Sequence, residues 1–518
     1  MKELSSMRGK LEKFFHASEI FLAKLSDGQF VIFCLLFVFF SSILVICDGH
    51  NWGGDFSQYI AQSRAMLNDD IESWLEKQSF IISSSTPGFS PLIYPWMTAV
   101  ILLPIYAIFG LNLYVFKLAE VFLLALAWVA FFLFLRLKEN SKVAAILTAI
   151  LMFNAHYIFL TDNILSECPF LFFAFLSIFL FYRRNLSKEN FTFYGFMLGA
   201  TIFFAVNTRT LGIALLIALF LDDFFLLLKD FSSKTNRKKF LLDRILPRAV
   251  PYLTYGILSV IFSHLLPQIP IQNNTGYLVT FSLNLSDIFA QMIYYAKLFG
   301  TFFLPDVRNI WSQSFGNFMI YPAIIFWGAS AIFGAVKNFS ANRFLIFYVA
   351  ITLAIVVCFS AHAGIRYIFG IIPFVLYFAY LGIKNFRAKK IVAAGLLALS
   401  LIASTASIAI FNFGEGDNQA YTKEALETYD FINKNISDDK VIYFFKPRVL
   451  YLNTNNYTYF KVADEEKSLS KADFVLFTEG DYFPNLKEFV QNNPQKYLKF
   501  FGNEKFELYQ INRQEENF

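Results

Sequence analysis

The sequence predicts an all-α polytopic membrane domain followed by a small C-terminal α/β domain outside the membrane. Three observations lead to this fold class. Of the 518 residues, 56% are apolar, 19% are aromatic and only 16% are charged. A soluble chain of this length carries about 25% charged residues and would be unable to bury so much apolar surface. The apolar residues also come in blocks separated by short basic clusters, and the tail instead alternates helical and strand patterns.

This composition excludes a cytosolic enzyme, a secreted disulfide scaffold and a nucleic-acid-binding domain. The 4 cysteines fall in or beside apolar runs and show no metal-ligand spacing. The first apolar run, Phe30–Cys47, has no small-residue cleavage site behind it, so we expect a retained anchor rather than a cleavable signal.

Runs of apolar residues give the number of predicted crossings. A spanning helix needs roughly 20 mostly apolar residues. We expect about 11 transmembrane helices, at Phe30–Cys47, Tyr114–Leu135, Val143–Leu160, Pro169–Tyr182, Thr192–Asn207, Leu211–Leu228, Ala249–Leu266, Phe318–Val336, Phe344–Ser360, Tyr367–Ile383 and Ile391–Phe411.

The distribution of basic residues predicts the topology. Of the 44 Lys and Arg residues, 24 lie at the N-terminus or in alternate loops and six lie in the loops between them, which indicates a cytoplasmic N-terminus. This asymmetry requires that Tyr94–Phe109, which is short and broken by Pro104, does not cross. We expect it to be a helix that lies on the outer leaflet or dips into it.

The predicted domains are a membrane domain, residues 1–413, and an extracytoplasmic tail, residues 414–518. The membrane domain has two long outer loops, 48–113 with the non-spanning helix and 267–317 with an amphipathic stretch. In the tail, patterns predict helices at Tyr421–Asn435 and Pro484–Asn492 and strands at Val441–Phe445, Tyr457–Val462, Phe474–Thr478 and Phe506–Ile511.

Unusual charges gather at the predicted outer ends of the helices. A charged residue at the centre of a spanning helix costs about 3 kcal/mol, so charges near helix ends are candidates for function. Their convergence predicts one site at the outer membrane boundary, formed by Asp48, Asp55, Asp162, Glu167, Arg209 and Arg366.

Carboxylates and arginines together suit glycosyl transfer from a lipid phosphate. A carboxylate can accept the proton of an acceptor hydroxyl that attacks the sugar carbon. The leaving phosphate is stable as an anion and needs no general acid, and arginines can hold its charge through forked hydrogen bonds.

Several motifs, in order along the chain, resemble those of the GT-C glycosyltransferases of the protein O-mannosyltransferase and aminoarabinose transferase kind, the bacterial family 39 type. They are GGDFSQYIAQSRAML, STPGFSPLIYPWMTAVILLPIYAIFG, LTDNILSECPFLFF, RYIFGIIPF and, in the tail, VIYFFKPRVLYLNT. Their order and their common predicted side carry the resemblance, which covers most of the chain.

The resemblance implies an inverting transferase that uses a polyprenyl-phosphate sugar. Asp55 then takes the role of catalytic base, and Glu167 is the second catalytic carboxylate, shaping the donor or acceptor pocket. Arg366, with Arg209 and Tyr367, binds the donor phosphate. Glu167 stands where the family commonly has Asp, and no second carboxylate directly follows Asp55, unlike in the protein mannosyltransferases. An envelope lipid or glycan is therefore favoured over protein as acceptor.

Four further residues are predicted to line the substrate pocket: Tyr59, Asp162, Lys117 and His362. Lys117 is also spaced to pair with Glu120 on one helical face. The expected location is the bacterial inner membrane, with membrane lipids around the chain and no nucleic-acid partner. No cofactor is required, and a divalent metal stays open because several histidines lie near outer helix ends. Lys446 and Arg448 are interpreted by default as solvated tail residues, with contact to glycan or lipid head groups as the alternative.

Two other functions stay open at this point. A lipid-linked glycan flippase or transporter would need polar residues near helix midpoints along a path. A whole-glycan polymerase or ligase would need large outer loops, and the loop 267–317 is compatible with one. An oligosaccharyltransferase is disfavoured because the chain has no Trp-Trp-Asp motif.

Overall fold

The computed structural model describes residues 26–86, 90–187, 189–231, 245–267, 281–303, 313–359, 364–413, 418–479 and 484–513. Most of the described chain is helical, and a five-stranded sheet follows in the tail. The predicted fold class, a helical membrane domain with a small α/β tail, is confirmed.

A helix, or in one case a bent pair of helices, overlaps each of the eleven predicted crossings. Their bounds are Asp27–Ile43, Leu113–Arg136, Ser141–Met152 with Ala155–Ile158, Glu167–Leu186, Phe191–Thr208, Ile213–Phe231, Leu246–Leu265, Gln313–Lys337, Phe339–Val357, Ile372–Ile383 and Arg387–Phe413.

Within the described residues, 7 helices are long and apolar enough to cross a membrane, or 8 if the bent pair Ser141–Met152 and Ala155–Asp162 is one span. Three predicted crossings are not among these spans: Asp27–Ile43 with 17 residues, Leu246–Leu265 with 20 and Ile372–Ile383 with 12. Leu246–Leu265 is long enough but contains polar and basic residues, and the other two are short. Ile372–Ile383 is short because a 3-10 turn, Ile365–Tyr367, occupies the start of the apolar run. The full count of eleven crossings stays a prediction.

The first outer loop folds into three helices, Gly54–Leu67, Ile71–Ser84 and Trp96–Phe109. The last has 14 residues, fewer than the roughly 20 that a spanning helix needs. It packs against the first, where Ser63 Oγ donates a 2.8 Å hydrogen bond to the carbonyl of Ala99. The amphipathic stretch of the second outer loop forms the helix Leu285–Phe303.

The described part of the tail contains a mixed five-stranded sheet and four α-helices. The strands are β1 Val441–Tyr443, β2 Tyr457–Tyr459, β3 Phe474–Thr478, β4 Tyr497–Gly502 and β5 Phe506–Ile511, and they lie in the order β2-β1-β3-β5-β4. β1 pairs in parallel with β2 and β3, and β5 pairs antiparallel with β3 and β4. The helices are Lys423–Asn435, Pro447–Thr454, Glu465–Ser468 and Pro484–Asn492. The sequence patterns missed the helices Pro447–Thr454 and Glu465–Ser468 and the strand β4.

The tail packs directly on the first outer loop, which brings it close to the predicted site. Arg64 donates to the carbonyl of Leu452 at 2.9 Å, and Lys77 donates to the carbonyl of Asn455 at 2.6 Å. Side chains from both segments share one apolar core, including Phe56, Trp74, Val449, Tyr451 and Leu452. The helix Pro447–Thr454 therefore lies against Gly54–Leu67.

Candidate active site

Asp55 lies in the first turn of the helix Gly54–Leu67, where the helix dipole favours a carboxylate. Its Oδ2 accepts a hydrogen bond from Arg366 Nη1 at 2.9 Å, and its Oδ1 accepts one from the Tyr94 hydroxyl at 2.9 Å. Three segments that are far apart in sequence thus meet at one carboxylate.

Glu167 is the first residue of the helix Glu167–Leu186 and forms the other half of the cluster. It pairs with Arg209, which ends the helix Phe191–Thr208, and its Oε1 lies 3.6 Å from Arg366 Nε. Arg366 therefore bridges the two carboxylates. Asp55, Glu167, Arg209 and Arg366 form a compact cluster of two negative and two positive charges.

Tyr367 supports the arginines from one side. Its ring centre lies 4.8 Å from the guanidinium carbon of Arg209 and 5.7 Å from that of Arg366. These cation–π contacts fix the arginine planes without using their N–H donors, which remain suited to a phosphate.

The two carboxylates differ in their access to a substrate. The Asp55 side chain is 31% exposed, whereas that of Glu167 is 2% exposed. Asp55 can therefore touch a bound molecule, while Glu167 can act only through the arginines that it holds.

Electrostatic effects keep Asp55 ionised. Burial raises the pKa of its carboxyl, but the charge of Arg366 and the hydrogen bonds from Tyr94 and Arg366 outweigh burial and hold the pKa below its usual value. Burial lowers the pKa of the Arg366 guanidinium, but Glu167 and Asp55 outweigh it and leave that pKa above its usual value. The pair is charged at neutral pH.

A small pocket of about 200 Å³ opens on Asp55 from the side of the tail. The tail contributes Phe445, Lys446 and Arg448 to its lining, and the first loop contributes Ser90 and Tyr94. Arg448 donates hydrogen bonds of 2.6 Å to Ser90 Oγ and to the carbonyl of Pro91.

The other predicted pocket residues have different surroundings. The rings of Tyr59 and Tyr94 lie 5.2 Å apart, so Tyr59 borders the site. Lys117 Nζ lies 2.6 Å from Asp162 Oδ1, and Asp162 also accepts a hydrogen bond from the Cys47 amide at 2.8 Å. This buried ion pair replaces the expected pairing of Lys117 with Glu120. His362 lies outside the described residues.

No group of three or more His, Cys, Asp or Glu side chains in the described part of the chain is arranged to hold a metal ion.

Sequence reasoning assigned no role to Tyr94 at the site and interpreted Lys446 and Arg448 by default as solvated, whereas Arg448 is buried and Lys446 is half-buried beside Asp55. The signals were present, because Tyr94 lies in the motif STPGFSPLIYPW and both basic residues lie in the tail phrase VIYFFKPRVLYLNT. The sequence patterns did not predict that the tail helix Pro447–Thr454 packs beside Asp55.

Comparison with solved structures adds information about the fold. ArnT from Cupriavidus metallidurans, bound to undecaprenyl phosphate, aligns over 93% of this chain and 97% of its own with a TM-score of 0.54 and 12% identity. The oligosaccharyltransferase of Archaeoglobus fulgidus, in complex with Zn and sulfate, covers 86% of this chain and 67% of its own at a TM-score of 0.56 and 11% identity. The chain has the GT-C membrane fold.

A further GT-C structure carries both a lipid carrier and a peptide. AglB from Archaeoglobus fulgidus, in complex with an inhibitory peptide and a dolichol-phosphate, covers 87% of this chain and 69% of its own, with a TM-score of 0.52 and 12% identity. No protein-family model and no curated protein sequence matches the chain. At these identities the likeness concerns the fold, and the activity has to be argued from the site.

Proposed function

We propose that this protein is a membrane glycosyltransferase that moves one monosaccharide from a polyprenyl-phosphate donor to a lipid or glycan of the cell envelope, with inversion. The observation that carries the proposal is the cluster in which Arg366 bridges the exposed carboxylate Asp55 and the buried carboxylate Glu167. It combines a base that substrate can reach with two arginines suited to a phosphate.

In the proposed reaction, the acceptor hydroxyl attacks the anomeric carbon of the donor. Asp55 takes the hydroxyl proton as the new carbon–oxygen bond forms. The bond between the anomeric carbon and the phosphate oxygen breaks, and its electron pair leaves with polyprenyl phosphate. Arg366 and Arg209 stabilise that phosphate, and Glu167 keeps both guanidinium groups in position.

Donor binding would also strengthen the base. Arg366 Nη1 contacts Asp55 Oδ2 at 2.9 Å and lowers the pKa of Asp55. A donor phosphate that draws this guanidinium to itself weakens that contact, so the pKa of Asp55 rises toward its usual value. The carboxylate then accepts a proton more readily when the leaving group is bound.

An apolar cavity of about 690 Å³ offers room for the polyprenyl chain. Tyr295, Phe299, Ile368 and Ile371 are among its lining residues. Ile368 follows directly after the Arg366–Tyr367 pair, and the Tyr295 phenol interacts electrostatically with Arg209 and Tyr367. A lipid in this cavity would therefore carry its phosphate toward the arginines. Two of the solved structures described above support this class of donor, since one is bound to undecaprenyl phosphate and another is in complex with a dolichol-phosphate.

The proposed location is the outer face of a bacterial inner membrane, with the N-terminus in the cytoplasm and the tail outside. The support is the excess of basic residues in the predicted cytoplasmic loops. A lipid-linked donor suits this side because it arrives already activated, and no ATP is available there.

The test uses purified protein in liposomes with a radiolabelled polyprenyl-phosphate sugar and membrane extract as acceptor. We expect label to move from the donor into a new covalent product, and Asp55→Asn to abolish this transfer. The matched control is Asp70→Asn, an exposed carboxylate of the same loop, which should retain transfer. Label that crosses the bilayer without forming a product, in the wild type and in Asp55→Asn alike, would contradict the proposal and favour a transporter.

A further inference from the structure

The pocket beside Asp55 has two halves that come from different domains. Gly54, Asp55, Ser90 and Tyr94 belong to the first outer loop, and the stretch Phe445–Val449 belongs to the tail. Asp55 meets Arg366 through Oδ2, while the Tyr94 hydroxyl that lines this pocket binds Oδ1. Of these two partners of the carboxylate, Tyr94 lines the pocket and Arg366 does not, so the pocket lies on the Tyr94 side of Asp55.

This position assigns the pocket to the acceptor, on the basis of the function proposed above. In an inverting transfer the acceptor and the leaving phosphate lie on opposite sides of the anomeric carbon, and the base lies with the acceptor. Ligand pockets for drug-sized molecules measure about 300–1,000 Å³. At about 200 Å³, this pocket admits a group of about the size of one sugar.

Lys446 is the cation of the pocket that can serve a ligand. Arg448 is occupied by Ser90 and Pro91, and its guanidinium lies over the Tyr94 ring at 5.3 Å. Lys446 Nζ lies 5.8 Å from the centre of the Phe445 ring, and no carboxylate in the described part of the chain lies within ion-pair distance of it.

Lys446 differs in this respect from most lysines of the tail. Ion pairs with carboxylates hold Lys423, Lys434, Lys440, Lys467, Lys487, Lys496, Lys499 and Lys505. These are surface pairs, whereas Lys446 is half-buried, and burial lowers the pKa of its ammonium while the charge of Asp55 opposes this. A half-buried ammonium gains from an anion in its pocket.

We propose that Lys446 binds an anionic group of the acceptor, a phosphate or a carboxylate close to the hydroxyl that attacks. The acceptor is then a negatively charged lipid head group or glycan, and the tail domain selects it. Arg448 positions the pocket, because its hydrogen bonds to Ser90 and Pro91 join the tail to the loop segment that carries Tyr94.

The proposal is tested by binding, which does not depend on transfer. Full-length protein in phosphatidylcholine nanodiscs is first saturated with undecaprenyl phosphate, so that the donor's arginines are occupied. Calorimetry then compares a hexose 6-phosphate with the same hexose without phosphate. We expect the phosphorylated sugar to bind at least about 10-fold more tightly, which is the effect of one charge-assisted contact.

Variants show whether Lys446 causes this preference. Lys446→Gln should lose it and Lys446→Arg should keep much of it. Lys467→Gln, a control at an exposed lysine of the same domain, should leave it unchanged. An unchanged preference in Lys446→Gln would overturn the proposal. So would a sugar phosphate that binds only when undecaprenyl phosphate is left out, because it would then occupy the donor arginines.

Nanodiscs that contain phosphatidylglycerol separate the two sources of the anion. If phosphatidylglycerol competes with the sugar phosphate in the wild type but not in Lys446→Gln, the anionic group belongs to a lipid head group. If phosphatidylglycerol does not compete in the wild type, the anionic group belongs to a water-soluble glycan. Transfer that persists in a folded Asp55→Asn variant would refute the proposed function without affecting these affinities, so the two proposals fail separately.

Discussion

Replacing Tyr94 with Phe removes one hydroxyl from the site and leaves the ring. The hydroxyl donates to Asp55 Oδ1 at 2.9 Å, and it also lies 3.0 Å from Ser90 Oγ. The ring itself packs against Tyr59 and lies under Arg448. Tyr94→Phe should therefore change the charge environment of Asp55 with little change in packing.

The expected magnitude follows from that one hydrogen bond. A hydrogen bond to a charged group contributes about 1.5–3 kcal/mol, and one pKa unit corresponds to about 1.4 kcal/mol. The bond lowers the pKa of Asp55, so its loss should raise that pKa. The carboxylate must be ionised to act as a base, so the acid limb of kcat/KM should move to higher pH.

The assay is the pH dependence of kcat/KM for release of polyprenyl phosphate, measured for the wild type and for Tyr94→Phe. Tyr429→Phe is the matched control, since the Tyr429 hydroxyl donates to the carbonyl of Ala420 at 3.0 Å inside the tail. An acid limb at the same pH in Tyr94→Phe and the wild type would refute the role of Asp55 as base. An equal shift in Tyr429→Phe would attribute the change to stability instead.

Three further predictions concern the other contacts. Arg209→Lys keeps the charge and loses the forked donors, so KM for the donor should rise about 10-fold with a smaller change in kcat; an unchanged KM would remove Arg209 from the donor site. Lys117→Met leaves the Asp162 carboxylate buried without its lysine partner and should lower the free energy of unfolding by about 3–5 kcal/mol. Thermal unfolding should then have a lower midpoint temperature, which the double variant Lys117→Met/Asp162→Asn partly restores. Trp52→Ala removes edge-to-face contacts with Phe444, Phe445 and Phe506, each of which contributes about 1 kcal/mol. Limited proteolysis should then separate the tail from the membrane domain faster than in the wild type. Equal cleavage rates would show that Trp52 does not hold the tail.

Hydropathy and charge predicted the helical domain because lipid imposes a length and a composition on each spanning helix. Helix ends were less accurate where the backbone changes type, as at the 3-10 turn Ile365–Tyr367. In the tail, β3 and β5 were predicted with their observed bounds because a short continuous apolar run marks β3 and apolar residues interleaved with polar ones mark β5. The helix Pro447–Thr454 was missed, since its start at a proline inside an apolar stretch resembles the end of a strand.

The candidate site was predictable as a set of residues and not as a geometry. The sequence brought Asp55, Glu167, Arg209 and Arg366 to one predicted side, and the structure brings them into direct contact. The packing of the helix ends decides which of the two carboxylates a substrate can reach. The pattern of a single sequence carries no information about that packing. The same holds for Lys446, whose position beside Asp55 follows from the docking of the tail.

The central claim is that Asp55 promotes transfer of a sugar from a polyprenyl-phosphate donor. Its most direct test incubates purified protein with a panel of polyprenyl-phosphate monosugars, with membrane extract as acceptor, and measures free polyprenyl phosphate. We predict release from one donor of the panel and loss of that release in Asp55→Asn. Release that persists in a folded Asp55→Asn variant, or no release from any donor, would contradict the account.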